Sequence, residues 1–206
     1  MKSTIWNFWA KRYDKLWVQK YSLKPTRNYI LKAMNEIMVK EHTKVLDLGC
    51  GPGQLINELS RKYNNLDIMG IDFSEKMLEV SKSRNPLASH IKLDVSELYK
   101  LKEKFNIIVC THSLPYYKEP NKVMRELSKL LKDGGRIFLG FASGNNFYDK
   151  FALSFVKLTT GPATYPSHKE FEYLISPYFQ IENVKVIKEK FYMPRIAIYT
   201  LKKVNQ

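Results

Sequence analysis

The sequence predicts an α/β protein: a mostly parallel sheet with helices packed on both faces. Three observations carry this. From residue 44 short apolar runs alternate with amphipathic segments, the first of these runs passes directly into a glycine-rich bend, and the last two runs have no helix between them. Alternation of this kind is the pattern of repeated β-α-β units. A glycine-rich bend after a buried strand lets the backbone turn tightly and lets a ligand approach it closely.

The elements follow in order. The first forty residues read as helical, with Trp6, Trp9, Tyr13 and Leu16/Trp17 near helical spacing and Lys11, Arg12 and Lys15 between them. A second helix follows Pro25, with Ile30, Leu31, Met34 and Ile37/Met38 as its apolar side. Lys44–Leu48 reads as a strand, Gln54–Tyr63 as a helix, Asp67–Ile71 as a strand and Ser74–Ser83 as a helix capped by Ser74. Ile91–Leu93 is a short strand and Phe105–Cys110 a buried one; Asn121–Leu131 is a helix ended by Asp133-Gly134-Gly135, and Arg136–Phe141 a strand. Ser167-x-x-Glu170 is a capping box that opens another helix. The runs Phe179–Ile187 and Lys190–Leu201 read as an antiparallel pair closing one edge of the sheet.

Composition bounds the function. The chain has 206 residues, enough for one domain with a substantial core, and its two cysteines exclude a disulfide framework. No run of apolar residues is long enough to span a bilayer, and the start lacks the apolar core of a signal peptide, so a reducing, cytoplasmic setting is the expectation. The net charge of +14 is unevenly spread: residues 1–40 carry +7, residues 41–184 only +2, and residues 185–206 carry +5. Basic ends around a neutral middle suit an acidic small molecule, a nucleic acid or an anionic membrane surface; the plainer reading is a lysine-rich solvated surface.

The chemistry lies in Val45-Leu46-Asp47-Leu48-Gly49-Cys50-Gly51-Pro52-Gly53-Gln54, a strand that runs through the bend into a helix. Its amides and the helix N-terminus favour negative groups. The dinucleotide pattern G-x-G-x-x-G does not fit, because the third glycine comes one residue early, at Gly53, and Asp47 sits inside the strand end.

Here the chain resembles the class I methyltransferase family, especially its small single-domain members. The Asp47-to-Gly53 run is similar to that family's first motif. Gly70-Ile71-Asp72-Phe73-Ser74, Leu93-Asp94-Val95, the stretch from Phe105 to Leu114 and Leu130–Arg136 follow in family order. The resemblance is close over residues 44–141 and looser in the tail. It implies a Rossmann-like doubly wound sheet of seven strands, order 3-2-1-4-5-7-6 with the last antiparallel, in a single domain over 1–206: a helical lid (1–40) on a core (41–206). It implies S-adenosyl-L-methionine as methyl donor and no metal.

The same resemblance implies the site. Asp47, Gly49, Cys50, Gly51 and Gly53 form the cofactor bend, Asp72 receives the ribose hydroxyls, Phe73 and Met77 lie beside it, and Asp94 and Val95 face the adenine. Thr111 follows strand four, and Tyr13 of the arm approaches the methionine end. Asp72 and Asp94 have plainer readings as helix caps, and Tyr13 as packing in the lid. Asn106 stands where the family often has aspartate, at a strand's start.

On the acceptor side, His112 and Tyr117 are the catalytic candidates, with Tyr116, Tyr165 and His168 as neighbours to weigh. A histidine titrates in the range suited to a base; its alternative is a structural or solvent-facing role. Cys50 and Cys110 read as buried thiols. The leading acceptor is a small molecule, an anionic metabolite or a natural-product intermediate. RNA is less favoured, since Thr111-His112-Ser113-Leu114-Pro115-Tyr116 replaces the N-P-P-Y type motif. A lipid or quinone methylase resting on membranes by its aromatic, basic arm, and a non-catalytic methyltransferase-like binding protein, complete the alternatives.

Overall fold

The computed structural model describes residues 3–37, 39–144, 149, 153–154, 161–190 and 193–204. Met38 and residues 191–192, which the sequence places in the second helix and the last run, lie outside them. Six helices and seven strands are used below: α1 (Ser3–Trp9), α2 (Lys24–Glu36), β1 (Lys44–Leu48), α3 (Gln54–Lys62), β2 (Asp67–Asp72), α4 (Glu75–Arg84), β3 (Ser89–Lys92), β4 (Phe105–Thr111), α5 (Pro120–Leu130), β5 (Leu131–Ala142), α6 (His168–Ile175), β6 (Phe179–Ile187) and β7 (Ile196–Lys203).

The sheet runs β3-β2-β1-β4-β5-β7-β6. β1 pairs in parallel with β2 and β4, β4 pairs in parallel with β5, and β7 lies antiparallel between β5 and β6. The strand order reverses between β1 and β4, so the crevice beyond their carboxyl ends is where a doubly wound sheet binds its ligand.

Period-two alternation divides the core between the two faces. Ile107 and Val109 of β4 join Val45, Phe138 and Ile198 under α2, α3 and α4, where Ile30, Met34, Leu55, Ile56, Leu59 and Leu78 are buried. Ile108 and Cys110 point the other way, to Val123, Met124 and Leu127 of α5 and Phe171 and Ile175 of α6. Each such aliphatic side chain contributes about 1.5–3 kcal/mol when fully buried. Because Asp47 follows Val45 by two residues, it falls on the α2/α3 face, an acid among apolar neighbours.

Caps set the helix starts. Ser74 Oγ accepts from the Met77 amide at 3.2 Å, and the Ser167/Glu170 pair forms the reciprocal box, with bonds of 3.3 and 2.7 Å.

Two expectations are corrected. The arm is not one continuous helix: α1 stops at Trp9, Tyr13–Lys15 is a 3-10 turn, and Gln19–Leu23 is a π-helical turn running into α2. The strand at 131–142 starts earlier than its apolar run suggests. Phe105 pairs with Leu131 and Ile107 with Arg136, so Lys132–Gly135 loop out opposite Asn106. Asn106 Oδ1 holds that bulge, accepting from the Lys44 amide and from Lys132 Nζ, each at 3.1 Å. Asn106 thus sits at the end of β4 away from the crevice, as a structural acceptor.

Candidate functional site

The bend after β1 is built on three glycines with positive φ, at 49, 51 and 53. Two of them show why side chains are excluded. At Gly53 a Cβ would lie 2.2 Å from Ser81 Oγ and 2.4 Å from Asn85 Nδ2, because α4 packs against the bend there. At Gly51 a Cβ would meet nothing within 4 Å, so that face of the backbone is open for a ligand.

Asp72 ends β2 beside this bend. Its Oδ2 accepts from the Gly51 amide at 3.0 Å and its Oδ1 from the Ser74 amide at 2.8 Å. Burial pushes its pKa up to about 6, against those two bonds. The capping bond to Ser74 and a place in the crevice wall are both present, so the two readings of Asp72 do not exclude each other. Asp94 behaves alike: it caps the 3-10 turn Val95–Lys100, accepting from the Ser96 amide at 3.0 Å, and also lines the crevice.

Asp47 lies beneath the bend, 1 % exposed, and among the described residues neither carboxylate oxygen has a hydrogen-bond partner. Burial, then repulsion from Asp72, raises its pKa to about 7, with Arg27 pulling the other way. Arg27 is itself engaged by Glu58 at 3.0 Å and by Gln19 and Gln54 at 3.2 Å. An orphaned buried carboxylate next to a second one leaves local negative charge that a cationic ligand would neutralise.

The crevice opens at the carboxyl ends of β1, β2 and β4. Gly49, Gly51, Asp72, Phe73, Met77, Asp94, Val95 and Thr111 line it, joined by His112 and Tyr117 after β4 and by Tyr13 of the arm. Cys50 instead lines an adjoining recess that shares Tyr13, Gly49, Gly51 and Thr111 and reaches Arg27. Asp47 and Gly53 act from behind the wall, lining neither space.

The arm packs along the crevice. Trp6 meets Tyr116 edge to face at 5.2 Å, Asn7 Oδ1 accepts from Ser74 Oγ at 2.7 Å, and Asp14 takes Gln54 Nε2 at 2.6 Å and pairs with Arg84. Burial raises the Tyr13 phenol well above its ordinary range, so it stays protonated.

The two acceptor-side candidates differ. His112 has a left-handed backbone (φ 56°), donates its amide to Gly140 O at 2.6 Å and holds Thr26 Oγ1 at 2.9 Å through Nε2. Burial, then Arg27, lowers its pKa to about 4, leaving a neutral imidazole. The Tyr117 hydroxyl is committed to Ser113 Oγ at 2.8 Å, and burial pushes its pKa far up. His168 lies elsewhere, stacked on Tyr199 and bonded to its hydroxyl at 3.1 Å, and neither it nor Tyr165 lines the crevice. Both cysteines are free and buried. Among the described residues no group of His, Cys, Asp and Glu is arranged to hold a metal ion.

Sequence reasoning missed Trp6, Ser113 and Arg27 as crevice or recess residues. Arg27 carried a signal: it sits on the buried stripe of α2 with Ile30 and Met34, and a buried arginine needs partners.

A switch-point crevice with a three-glycine bend and a carboxylate one strand over defines a nucleoside-cofactor enzyme of the doubly wound class. The chain matches the methyltransferase domain family over residues 39–164 and belongs to it. It is a class I methyltransferase that uses S-adenosyl-L-methionine. It is 28 % identical over 191 residues to demethylmenaquinone methyltransferase of Staphylococcus aureus strain Newman, covering 88 % of this chain and 79 % of the relative. Among solved structures it resembles magnesium protoporphyrin IX methyltransferase of Synechocystis PCC 6803 with bound S-adenosylhomocysteine, at TM-score 0.76 and 17 % identity over 98 % of this chain and all of that one. It also resembles an S-adenosylmethionine-dependent methyltransferase of Clostridium acetobutylicum, at TM-score 0.72 and 19 % identity over 96 % of this chain and 98 % of that one.

Proposed function

We propose that this enzyme methylates a planar, apolar small molecule bearing an acidic hydroxyl, of the hydroquinone type, with His112 receiving the proton. The observation that carries this is the acceptor end of the crevice. There a neutral imidazole stands among Trp6, Tyr13, Tyr116 and Tyr117, walls suited to a flat aromatic body. The demethylmenaquinone relative supports the same acceptor class. The bound cofactor supplies a methyl group already activated on a sulfonium. In this reading Asp72 holds the ribose, Asp94 and Val95 the adenine, and Phe73 and Met77 its flank. Gly49, Gly51 and Thr111 border the methionine portion, with Asp47 answering its positive charge and Arg27 its carboxylate. Tyr117 acts as wall rather than base. Residues 1–40 form the lid of a single domain completed by 41–206.

Incubation of the protein with S-adenosyl-L-methionine and a reduced naphthoquinone is expected to give the methylated quinol. Methylation of total RNA and not of the quinol would overturn the proposal; failure to bind S-adenosylhomocysteine in calorimetry would favour the non-catalytic alternative.

A second feature favours a membrane-derived acceptor. On the arm, Phe8 and Trp17 are 59 % and 60 % exposed among Lys11, Arg12, Lys15 and Lys20. Lys190 Nζ lies 5.7 Å from the Tyr21 ring, which joins the basic C-terminal segment to the basic arm. No helix among the described residues is long and apolar enough to cross a membrane. The reading is a cytoplasmic enzyme that touches anionic lipid reversibly.

A further inference from the structure

Resting on the placement of His112 beside the acceptor, we propose that Thr26 is a positioning residue that fixes the His112 tautomer. Thr26 holds the imidazole with its hydrogen on Nε2, so that the Nδ1 lone pair takes the acceptor's proton.

The hydrogen-bond inventory decides the tautomer. Thr26 is fully buried, and its Oγ1 lies 2.8 Å from the Ser22 carbonyl oxygen, which can only accept. The hydroxyl has one hydrogen, and this bond uses it. Among the described residues the remaining hydrogen-bond contact of Oγ1 is His112 Nε2 at 2.9 Å, so there the oxygen accepts and the nitrogen donates. A neutral imidazole carries one N–H, which leaves Nδ1 with a bare lone pair. Among the described residues Nδ1 makes no hydrogen bond, and the side chain lines the crevice.

Backbone geometry holds this arrangement in place. His112 is kept in its left-handed conformation by the hydrogen bond its backbone N–H donates to Gly140 O, and such strain persists only where the surroundings determine it. Gly140 also leaves room for Thr26: a Cβ there would lie 2.5 Å from the threonine methyl carbon. Gly140, Thr26 and His112 therefore form one unit, although the histidine is 86 residues from the threonine.

As the acceptor O–H breaks, its proton goes to Nδ1, and the electron pair it leaves forms the bond to the methyl carbon, either directly from oxygen or through the ring from the adjacent carbon, which then gives up its own hydrogen as the hydroxyl is restored. The carbon–sulfur pair stays on sulfur, giving a neutral thioether. The imidazolium so formed faces the electrostatic influence of Arg27 and returns its proton to water. The acceptor must therefore present a hydrogen to Nδ1; a carboxylate would set lone pair against lone pair.

The test is nitrogen NMR on histidine-labelled protein, with and without S-adenosylhomocysteine, the His112 signals assigned by His112→Gln. In the wild type Nε2 is expected to be fully protonated and Nδ1 bare. Thr26→Val should yield a mixture with Nδ1–H, Thr26→Ser should restore the single tautomer, and Gly140→Ala should reproduce the mixture with the hydroxyl intact. In turnover with a reduced naphthoquinone, Thr26→Val should lower kcat about 10–100-fold with little change in KM. A wild-type His112 protonated at Nδ1, or one whose tautomer ignores Thr26→Val and Gly140→Ala, would overturn the proposal. Should Thr26→Val fail to fold, the wild-type tautomer and Thr26→Ser decide the matter. Loss of quinol methylation with the expected tautomer intact would instead count against the acceptor, since the NMR result is read without substrate.

Discussion

Asp47 and Asp72 meet under the glycine bend with more negative charge than their neighbours neutralise, and this sets how the protein responds to pH. Both carboxyls have pKa values raised by burial, to about 7 and about 6, whereas in an unfolded chain they ionise near pH 4. Between pH 4 and 7 the unfolded chain therefore binds fewer protons at these two groups than the native one. The two carboxyls should withdraw stability from the cofactor-free protein as pH rises through that window, completely above about 7, and His112, held neutral by a pKa lowered to about 4, offsets part of that loss below about 6.5. A cationic cofactor reverses the balance by favouring the ionised acids. Affinity for S-adenosyl-L-methionine should rise from pH 5 to pH 8, with proton release on binding at the lower end; calorimetry in buffers of different ionisation heat measures both. Asp47→Asn should raise the melting temperature of the cofactor-free protein at pH 8 while weakening cofactor binding and flattening its pH dependence. An Asp47→Asn protein with unchanged affinity would remove this acid from the account. Asp72→Ala should weaken binding by about 100-fold or more, the loss of two hydrogen bonds to a charged group, with an unchanged circular dichroism spectrum.

At the scale of elements, the bend between β1 and α3 is the part that tolerates least change. Gly53→Ala combines a left-handed φ of 73° with a collision against Ser81 and Asn85. Overpacking of that kind costs about 1–3 kcal/mol, and thermal unfolding should show it as a fall of several degrees. An unchanged melting temperature would mean that α4 yields without cost. This region was legible in the sequence because its signals are local: glycines at fixed spacing, Ser74 three residues before the amide it caps, Asp72 at a strand end. Elsewhere local signals stopped short. Nothing near Leu131 announces a strand, because its pairing with Phe105 and the outward loop of Lys132–Gly135 are decided by a neighbour 26 residues away. The arm's aromatic spacing suggested one helix, yet its residues are placed by contacts with Ser74, Arg84 and Tyr116 across the crevice. Thr26 and Arg27 carried no signal strong enough to single them out within the second helix for the same reason: their partners His112 and Glu58 come from other elements.

For the molecule as a whole, the sequence showed a basic beginning and a basic end, and the fold brings them together where Lys190 approaches Tyr21. With Phe8 and Trp17 exposed on the arm, sedimentation should show binding to phosphatidylglycerol-containing vesicles and little to phosphatidylcholine alone. Binding should weaken with salt as charge is screened, and Phe8→Ser with Trp17→Ser should reduce it several-fold. Equal binding to neutral vesicles, or none to either, would remove the lipid contact. The central claim is simpler: the bend at 49–53 and the carboxylate of Asp72 together hold an adenosyl amino acid. A crystal structure of the complex with S-adenosylhomocysteine tests it most directly. The ribose hydroxyls should lie about 2.6–3.2 Å from the Asp72 oxygens, with the adenine beside Asp94 and Val95 and the homocysteine chain over Gly51. Density for the nucleoside at any other place, with this crevice empty, would contradict the account.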